Sequence, residues 1–77
     1  MKKAIEMIIR ASEAPEFEIR KEFETRAEME KFYYDNFRNC RGRKFVLESR
    51  DGYRVTEELL MCLDFHYHIT TIDRSEF

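Results

Sequence analysis

The chain has 77 residues and a net charge of −2, and 14% of its residues are aromatic although none is tryptophan. A chain of this length buries only about 60% of the surface that its unfolded form exposes, so we expect one small domain, residues 1–77, whose apolar side chains are needed for the core. This size disfavours an enzyme that encloses its substrate, and the balanced charge disfavours a polycationic nucleic-acid binder or a strongly acidic DNA mimic.

The first two predicted elements form a β-hairpin. Residues 2–12 fit either a helical stripe or the alternation of a strand, which Ile8 interrupts. Residues 13–15 read as a short break, and residues 16–24 alternate with apolar side chains on one side. Because two strands joined by a short loop make a hairpin, we favour a strand over a helix for residues 2–12.

A helix follows this hairpin. Thr25, with Glu28 three residues later, has the spacing of a capping box. The apolar residues that come next have the spacing of a helical stripe facing a sheet, and they are Met29, Phe32, Tyr33 and Phe37. We expect the helix to end within residues 38–44, where Gly42 would take a left-handed backbone conformation.

Asp51 and Gly52 give the strongest turn signal in the chain and predict a second hairpin, with a strand on either side of them. Residues 57–64 are ambiguous. Every odd residue from 59 to 69 is apolar, as in a strand, but a single strand through this region would be far longer than usual. We therefore favour a short helix over residues 57–64 and a strand over residues 65–73.

Together these elements predict an α+β domain in the order ββαββαβ. A small antiparallel sheet of four to five strands would be packed by one long helix and by a short second helix. Without the first strand, the order is the βαββαβ of a ferredoxin-like fold. That fold hosts enzymes, RNA binders and regulators, so the fold class by itself indicates no function.

Cys40 and Cys62 are the only cysteines, and they allow at most one bridge. Because the chain has neither a CxxC pair nor a disulfide framework, we expect reduced thiols and a cytoplasmic protein, located in the host cytoplasm if a phage encodes it. No apolar run is long enough to span a membrane and the start does not resemble a signal peptide, so we expect neither a membrane protein nor a secreted one.

Two histidines, His66 and His68, stand two positions apart between large apolar residues. In a strand they share one face about 6.6 Å apart, and with a third ligand they could bind zinc, or they could act in acid–base catalysis. A continuous strand would add Cys62 and Asp64 to the row, whereas a helix before the pair leaves it alone. The interpretation that we favour places both histidines on the outer face of a strand whose inner face is apolar.

Positive charge is concentrated in the middle of the chain, where residues 38–54 carry a net charge of +4. Four of these cations follow the predicted helix closely, namely Arg38, Arg41, Arg43 and Lys44. Such a segment can bind phosphates, complement the negative end of a helix, or meet an acidic protein surface. We favour the protein surface over nucleic acid, since acidic segments flank the cations and one loop offers few phosphate contacts.

Tyr34 lies outside the apolar stripe of the helix and one turn before Arg38. An exposed tyrosine beside an arginine is typical of an interface hot spot, although a tyrosine packed along the arginine has the same spacing.

The second predicted strand carries a row of acids, Glu16, Glu18 and Glu22, on one face. Such a row can imitate a phosphate backbone, or it can keep a sheet edge charged and unpaired. Arg20 interrupts the row, which favours the second interpretation.

In general profile, as a small domain dense in charged and aromatic residues, the chain resembles the accessory proteins with which phages block host machinery, anti-CRISPR proteins among them. This resemblance rests on no particular residues, and it implies a protein partner. We therefore predict a non-catalytic protein-binding module without a cofactor, an inhibitor or regulator of a larger complex that handles nucleic acid, with a homodimer as an alternative state. The alternatives are a metal-binding protein or small metalloenzyme using His66 and His68, and a weak nucleic-acid binder using residues 38–44.

Overall fold

The computed structural model describes residues 5–50 and 53–74, and of residues 46–50 it describes the backbone alone. The elements follow in the order β1 (Ile5–Ala11), β2 (Ala14–Phe23), α1 (Arg26–Phe37), β3 (Arg41–Arg50), β4 (Tyr53–Cys62) and β5 (Phe65–Asp73). All strand pairs are antiparallel, and the sheet order is β2-β1-β5-β4-β3. The α+β prediction is confirmed, whereas a ferredoxin-like order is not.

Both predicted hairpins are present. Residues 5–11 form a strand, as favoured, and they pair with β2 on one side and with β5 on the other. The second hairpin consists of β3 and β4, and the predicted turn residues Asp51 and Gly52 lie outside the described residues. Ile8 interrupts the alternation of β1 because it lies on the sheet face opposite to Met7 and Ile9.

The helix begins and packs as its sequence predicts. The Thr25 hydroxyl accepts a hydrogen bond of 3.2 Å from the backbone N–H of Glu28, and the Glu28 carboxylate accepts one of 3.3 Å from the Glu24 N–H. Met29 is buried in the core, and the rest of the stripe, Phe32, Tyr33 and Phe37, packs against it. In the described ranges, no helix is long and apolar enough to cross a lipid bilayer.

The core lies between α1 and one face of the sheet. Its buried side chains are Ile5, Met7 and Ile9 of β1, Phe23 of β2, Met29 of α1, Leu60 of β4 and Ile69 of β5. Helix α1 packs over β1 and β2, and β1, which has a strand on either side, provides three of these core side chains.

The short helix predicted over residues 57–64 is wrong, because β4 continues to Cys62 and only Leu63 and Asp64 form a turn before β5. A helix over residues 57–64 would place Leu59 and Leu63 inward. Instead, Leu59 lies on the sheet face away from α1, and Leu63 is fully exposed. Because a two-residue turn joins the two antiparallel strands, the core-facing positions are even in β4 and odd in β5. The apolar residues at odd positions therefore lie on the face away from α1 in β4 and on the core face in β5, and they read as one continuous alternation in the sequence.

The turn between β4 and β5 holds a leucine in a glycine conformation. Leu63 has a φ of +53°, a region that costs a bulky L-residue roughly 1–2 kcal/mol. Two-residue hairpin loops with positive φ at this position favour glycine. Replacement Leu63→Gly is therefore expected to raise the free energy of unfolding by about 0.5–1 kcal/mol, after allowing for the larger entropy of glycine in the unfolded chain.

Thermal unfolding of the two neighbouring glycine variants measures this effect. Asp64 has no positive φ, so Asp64→Gly is the matched control and should lower the melting temperature while Leu63→Gly raises it by a few degrees. A fall in both variants would contradict a strained Leu63.

The expectation of reduced thiols is also wrong, because Cys40 and Cys62 form a disulfide. β3 and β4 run side by side with Arg41 opposite Met61, and this register brings the Cα atoms of the neighbouring cysteines to 5.0 Å from each other. Both cysteines of the chain are thereby used, and the bond links the segment after α1 to the end of β4.

The prediction that Gly42 takes a left-handed conformation at the end of the helix is wrong. The helix ends with Arg38 in the right-handed helical region, and the N–H of Cys40 donates to the carbonyl of Phe37 at 3.0 Å. Gly42 lies in β3, directly opposite Leu60. The missing side chain provides space for Leu60, whose side chain is fully buried.

Candidate functional site

Helix α1 covers only one of the two faces of the sheet. Met29 packs on the face that carries Met7, Leu60 and Ile69, and directly opposite residues of neighbouring strands share a face. The alternate residues therefore point to the other face, which we call the outer face. In the part of the chain that the structure describes, no helix or strand packs on this outer face.

Ion pairs cover the β1–β2 half of the outer face. Arg10 Nε and Arg20 Nε each donate to the Glu18 carboxylate at 2.9 Å, and Arg20 also lies 3.7 Å from Glu6. The bond from Arg10, followed by that from Arg20, holds the pKa of Glu18 below its ordinary value. Ile8, which lies opposite Arg20 among these side chains, is only 6% exposed.

The opposite half of the outer face carries two parallel rows of a different kind. In the first row Arg41 lies opposite Met61, and Met61 lies opposite His66. In the second row Arg43 lies opposite Leu59, and Leu59 lies opposite His68. Each of these cationic rows thus has an arginine on the edge strand β3, an apolar residue on β4 and a histidine on β5.

The arginines of the cationic rows have no counterion among the side chains that the structure describes. Among the described side chains, neither Arg41 nor Arg43 makes an ion pair. The apolar residues beside them are accessible, since Met61 is 57% exposed and Phe45, the next outer-face residue of β3, is 48% exposed. Unpaired arginines beside exposed apolar side chains form a surface that a partner could neutralise and desolvate.

A groove of about 530 Å³ crosses the middle of this face. Its lining includes Arg10, Phe45, Glu57, Leu59, His68 and Thr70. Pockets that hold small ligands span roughly 300–1,000 Å³, so the groove is large enough for one or more partner side chains. Phe45 and Leu59 give it an apolar wall, whereas the other four residues provide hydrogen-bonding groups.

The first histidine is held by the turn between β1 and β2. The carboxylate of Glu13 accepts the backbone N–H of His66 at 2.7 Å and also contacts His66 Nδ1. In return, the N–H and hydroxyl of Ser12 donate to the His66 carbonyl at 2.8 and 3.1 Å. These contacts fix the orientation of the imidazole and tie the start of β5 to the first hairpin.

The Glu13 contacts predict a specific dependence on pH. Hydrogen bonds from the backbone and then from the ring of His66 lower the pKa of Glu13 from 4.5 to about 2. A carboxylate with a lowered pKa contributes stability that is complete above its unfolded-state pKa and is lost as the pH falls through its folded-state pKa. We therefore expect the contact to persist down to about pH 2, where protonation breaks it.

Carboxyl-detected NMR of the folded protein gives this midpoint directly. The variant Glu13→Gln should in addition remove the acid-sensitive shift of the His66 backbone amide. A Glu13 midpoint near its ordinary value would contradict the two hydrogen bonds.

Among the residues that the structure describes, the histidine pair has no third metal ligand placed beside it. Cys62 is in the disulfide, and Asp64 lies in the turn, so neither extends the row formed by His66 and His68. Within residues 5–50 and 53–74, no group of three or more His, Cys, Asp or Glu side chains is placed to hold a metal ion. The metal site predicted at His66 and His68 remains a prediction without a structural observation in its favour.

The other predicted partner-binding residues fall on separate surfaces. Tyr34 is 60% exposed, and it lines, together with Lys44, a cavity of about 270 Å³ beside α1. In the same cavity Tyr33 donates to Glu58 at 2.6 Å, and burial, followed by this bond, raises the pKa of the Tyr33 hydroxyl. Arg38 is exposed at the end of α1. These residues lie on the helix side of the sheet, away from the cationic rows.

The predicted acidic row lies on β2, at the opposite edge of the sheet from Arg41 and Arg43. Four strand spacings separate the two edges, or about 19 Å. Glu18 already has two arginine partners, whereas Glu16 and Glu22 are exposed. The acids and the cations that the sequence singled out therefore cannot form one compact site.

Several residues of this surface were missed from the sequence. Leu59 and Met61 were assigned to the predicted short helix, and Phe45 only to a strand of the second hairpin, because the sequence does not reveal which sheet face is uncovered. Glu13 was assigned only to a loop, although an acid in a two-residue turn is a hydrogen-bond acceptor placed near neighbouring strands.

Similarity to other proteins provides no further constraint on this surface. Comparison of the chain with protein-family models, with curated proteins and with solved structures gives no match.

Proposed function

We propose that this chain is a non-catalytic protein-binding module, and that its interface is the half of the outer face formed by β3, β4 and β5. The observation that carries the proposal is the pair of cationic rows on a sheet face that no described element covers. In this proposal the bound partner is part of a larger complex that handles nucleic acid, and binding inhibits or regulates that complex.

The composition of the surface supports a protein partner. Interface hot spots are enriched in arginine and aromatic residues and lie beside apolar side chains that exclude water on binding. Arg41 and Arg43 provide the cations, and Phe45, Leu59 and Met61 provide the apolar area between and beside them. The groove next to them accepts side chains that project from the partner.

The charge of the surface supports an acidic region on that partner. Arg41 and Arg43 have no counterion among the described residues, so carboxylates of a partner would form new pairs without first breaking old ones. On the β1–β2 half, by contrast, Arg10 and Arg20 already hold Glu18. Direct binding of nucleic acid is the weaker alternative, since the described outer face has two exposed aromatic rings, Phe45 and Tyr53, and Arg74 already lies against the second of them.

Charge reversal tests the proposal. The double variant Arg41→Glu and Arg43→Glu should lose affinity for a captured partner by at least about tenfold, because two attractive pairs become repulsive. The measurement is capture from lysate with mass spectrometry, followed by titration of the purified partner. Circular dichroism should show an unchanged fold, since both side chains are exposed.

The matched control is the double variant Lys31→Glu and Arg38→Glu, which changes the net charge equally on the helix side. Lys31 is exposed and pairs only with Asp35 among the described residues, at 3.0 Å. This control should retain the partner. Equal binding by the wild type and by the Arg41 and Arg43 variant would remove the outer face from the account.

A further inference from the structure

Strand β3 is an open edge of the sheet. It is ten residues long, and β4 is its only hydrogen-bonded neighbour among the described strands. Alternate N–H and C=O groups of an edge strand point away from the sheet and can pair with another extended chain. The outward side of β3 is thus a template for an added strand.

Cations flank this edge on both faces of the sheet. Arg41, Arg43 and Phe45 lie on the outer face, whereas Lys44 lies on the other face opposite Glu58. Helix α1 packs over β1 and β2 and not over β3. An extended chain beside β3 would therefore meet arginines above it and a lysine below it, without obstruction by the helix.

The other edge of the sheet is less suited to a charged strand. On β2, Glu18 is held by Arg10 and Arg20, and the ammonium group of Lys21 lies 4.5 Å from the centre of the Phe32 ring. Pro15 also removes one backbone donor near the start of β2. On β2, Glu18, Arg20 and Lys21 thus have partners within the chain, whereas Arg41 and Arg43 of β3 have no counterion among the described residues.

We infer that the partner contributes an acidic segment in extended conformation, which pairs with the outward edge of β3 and adds a sixth strand to the five-stranded sheet. This inference rests on the proposed function and specifies how the partner is recognised. Main-chain hydrogen bonds provide affinity in strand addition, and alternate side chains provide specificity. Here, carboxylates at alternate positions would face Arg41 and Arg43, which are also two positions apart on one face.

A second copy of the chain is a poorer occupant of this edge. Alignment of the first half of β3 with its own copy would place Arg41, Arg43 and Lys44 beside the same cations, and like charges directly opposite are destabilising. The charge pattern therefore favours an acidic segment from a different chain.

Synthetic peptides test this inference with the intact protein. The probe is a peptide of alternating threonine and glutamate, as long as the ten residues of β3, which places all its carboxylates on one face when extended. A peptide with glutamine in place of glutamate is the matched control. We expect the acidic peptide to bind at least about tenfold more tightly than the glutamine peptide, and the Arg41→Glu and Arg43→Glu variant to remove this difference.

Backbone methylation distinguishes strand addition from contact between side chains alone. Two further acidic peptides carry N-methyl groups on alternate amides, one on the odd and one on the even positions. Only one edge of an added strand pairs with β3, so one methylated peptide should lose binding at least about tenfold while the other should bind like its parent.

Each of the following results would contradict the inference, and each shows which part of it is wrong. If both methylated peptides bind like the parent, strand addition is wrong although the outer face still binds protein. If the acidic peptide does not bind while a captured partner remains sensitive to Arg41 and Arg43, the inference fails and the proposed function stands. Tighter binding of a single-stranded oligonucleotide of equal length, or self-association through β3 in sedimentation, would assign the edge to a different occupant.

Discussion

Removal of the disulfide by the double replacement Cys40→Ser and Cys62→Ser is expected to lower the free energy of unfolding by about 3 kcal/mol. The cysteines are 22 positions apart, and a crosslink over a loop of this length restricts the unfolded chain by about that amount. Small domains have only about 5–15 kcal/mol of stability in total, so the loss is a large share of it. The bond also borders the first cationic row, since Cys40 precedes Arg41 and Cys62 follows Met61.

Urea unfolding of three samples measures the effect. The oxidised wild type should be the most stable, and the reduced wild type and the serine variant should unfold together at a lower urea concentration. The serine variant is its own control, because a reductant should not change its midpoint. Equal midpoints for the oxidised wild type and the variant would contradict a stabilising disulfide.

The replacement Gly42→Ala is expected to destabilise the domain by about 1–3 kcal/mol. A Cβ atom at this position would overlap Cδ2 of Leu60 and lie 2.7 Å from the carbonyl oxygen of Leu59. Leu60 is fully buried, so its side chain has little room to move, and the carbonyl belongs to the paired backbone of β4. The direction of this change in stability is informative, because Gly→Ala at an unhindered site with a compatible backbone usually stabilises a protein by about 0.4–1 kcal/mol.

A double-mutant cycle with Leu60→Ala checks the origin of this loss. The single variant Leu60→Ala should itself cost about 2–5 kcal/mol because it leaves a cavity in the core. In its background Gly42→Ala should cost less than in the wild type, since one of the two overlapping atoms is gone. Additive losses would show that contact with Leu60 is not the cause.

The sequence alone was sufficient to predict features that depend on the spacing of residues within one element. The stripe of Met29, Phe32, Tyr33 and Phe37 and the Thr25 cap depend on spacing along one helix, and both are present in the structure. The helix predicted over residues 57–64 was wrong because the apolar residues of this segment lie on both faces of a sheet. Leu60 points to the core while Leu59 and Met61 lie on the outer face, and such a run fits a short helix equally well.

The candidate surface could be predicted only in part, because it depends on strand order and register. The sequence indicated Arg41 and Arg43 as a basic segment and His66 and His68 as a separate pair. Their combination into two rows requires β4 to lie between β3 and β5, which no spacing along the chain reveals. The disulfide was missed for the same reason, since the register of β3 on β4 decides whether the two cysteines meet.

Hydroxyl-radical footprinting of the chain, alone and in complex with its captured partner, tests the central claim most directly. Met61, Phe45 and Tyr34 are all exposed in the free chain, so each should be labelled there. Binding through the outer face predicts that the partner protects Met61 and Phe45 and leaves Tyr34 as reactive as before. Protection of Tyr34 with unchanged labelling of Met61 and Phe45 would place the interface on the helix side and contradict the account.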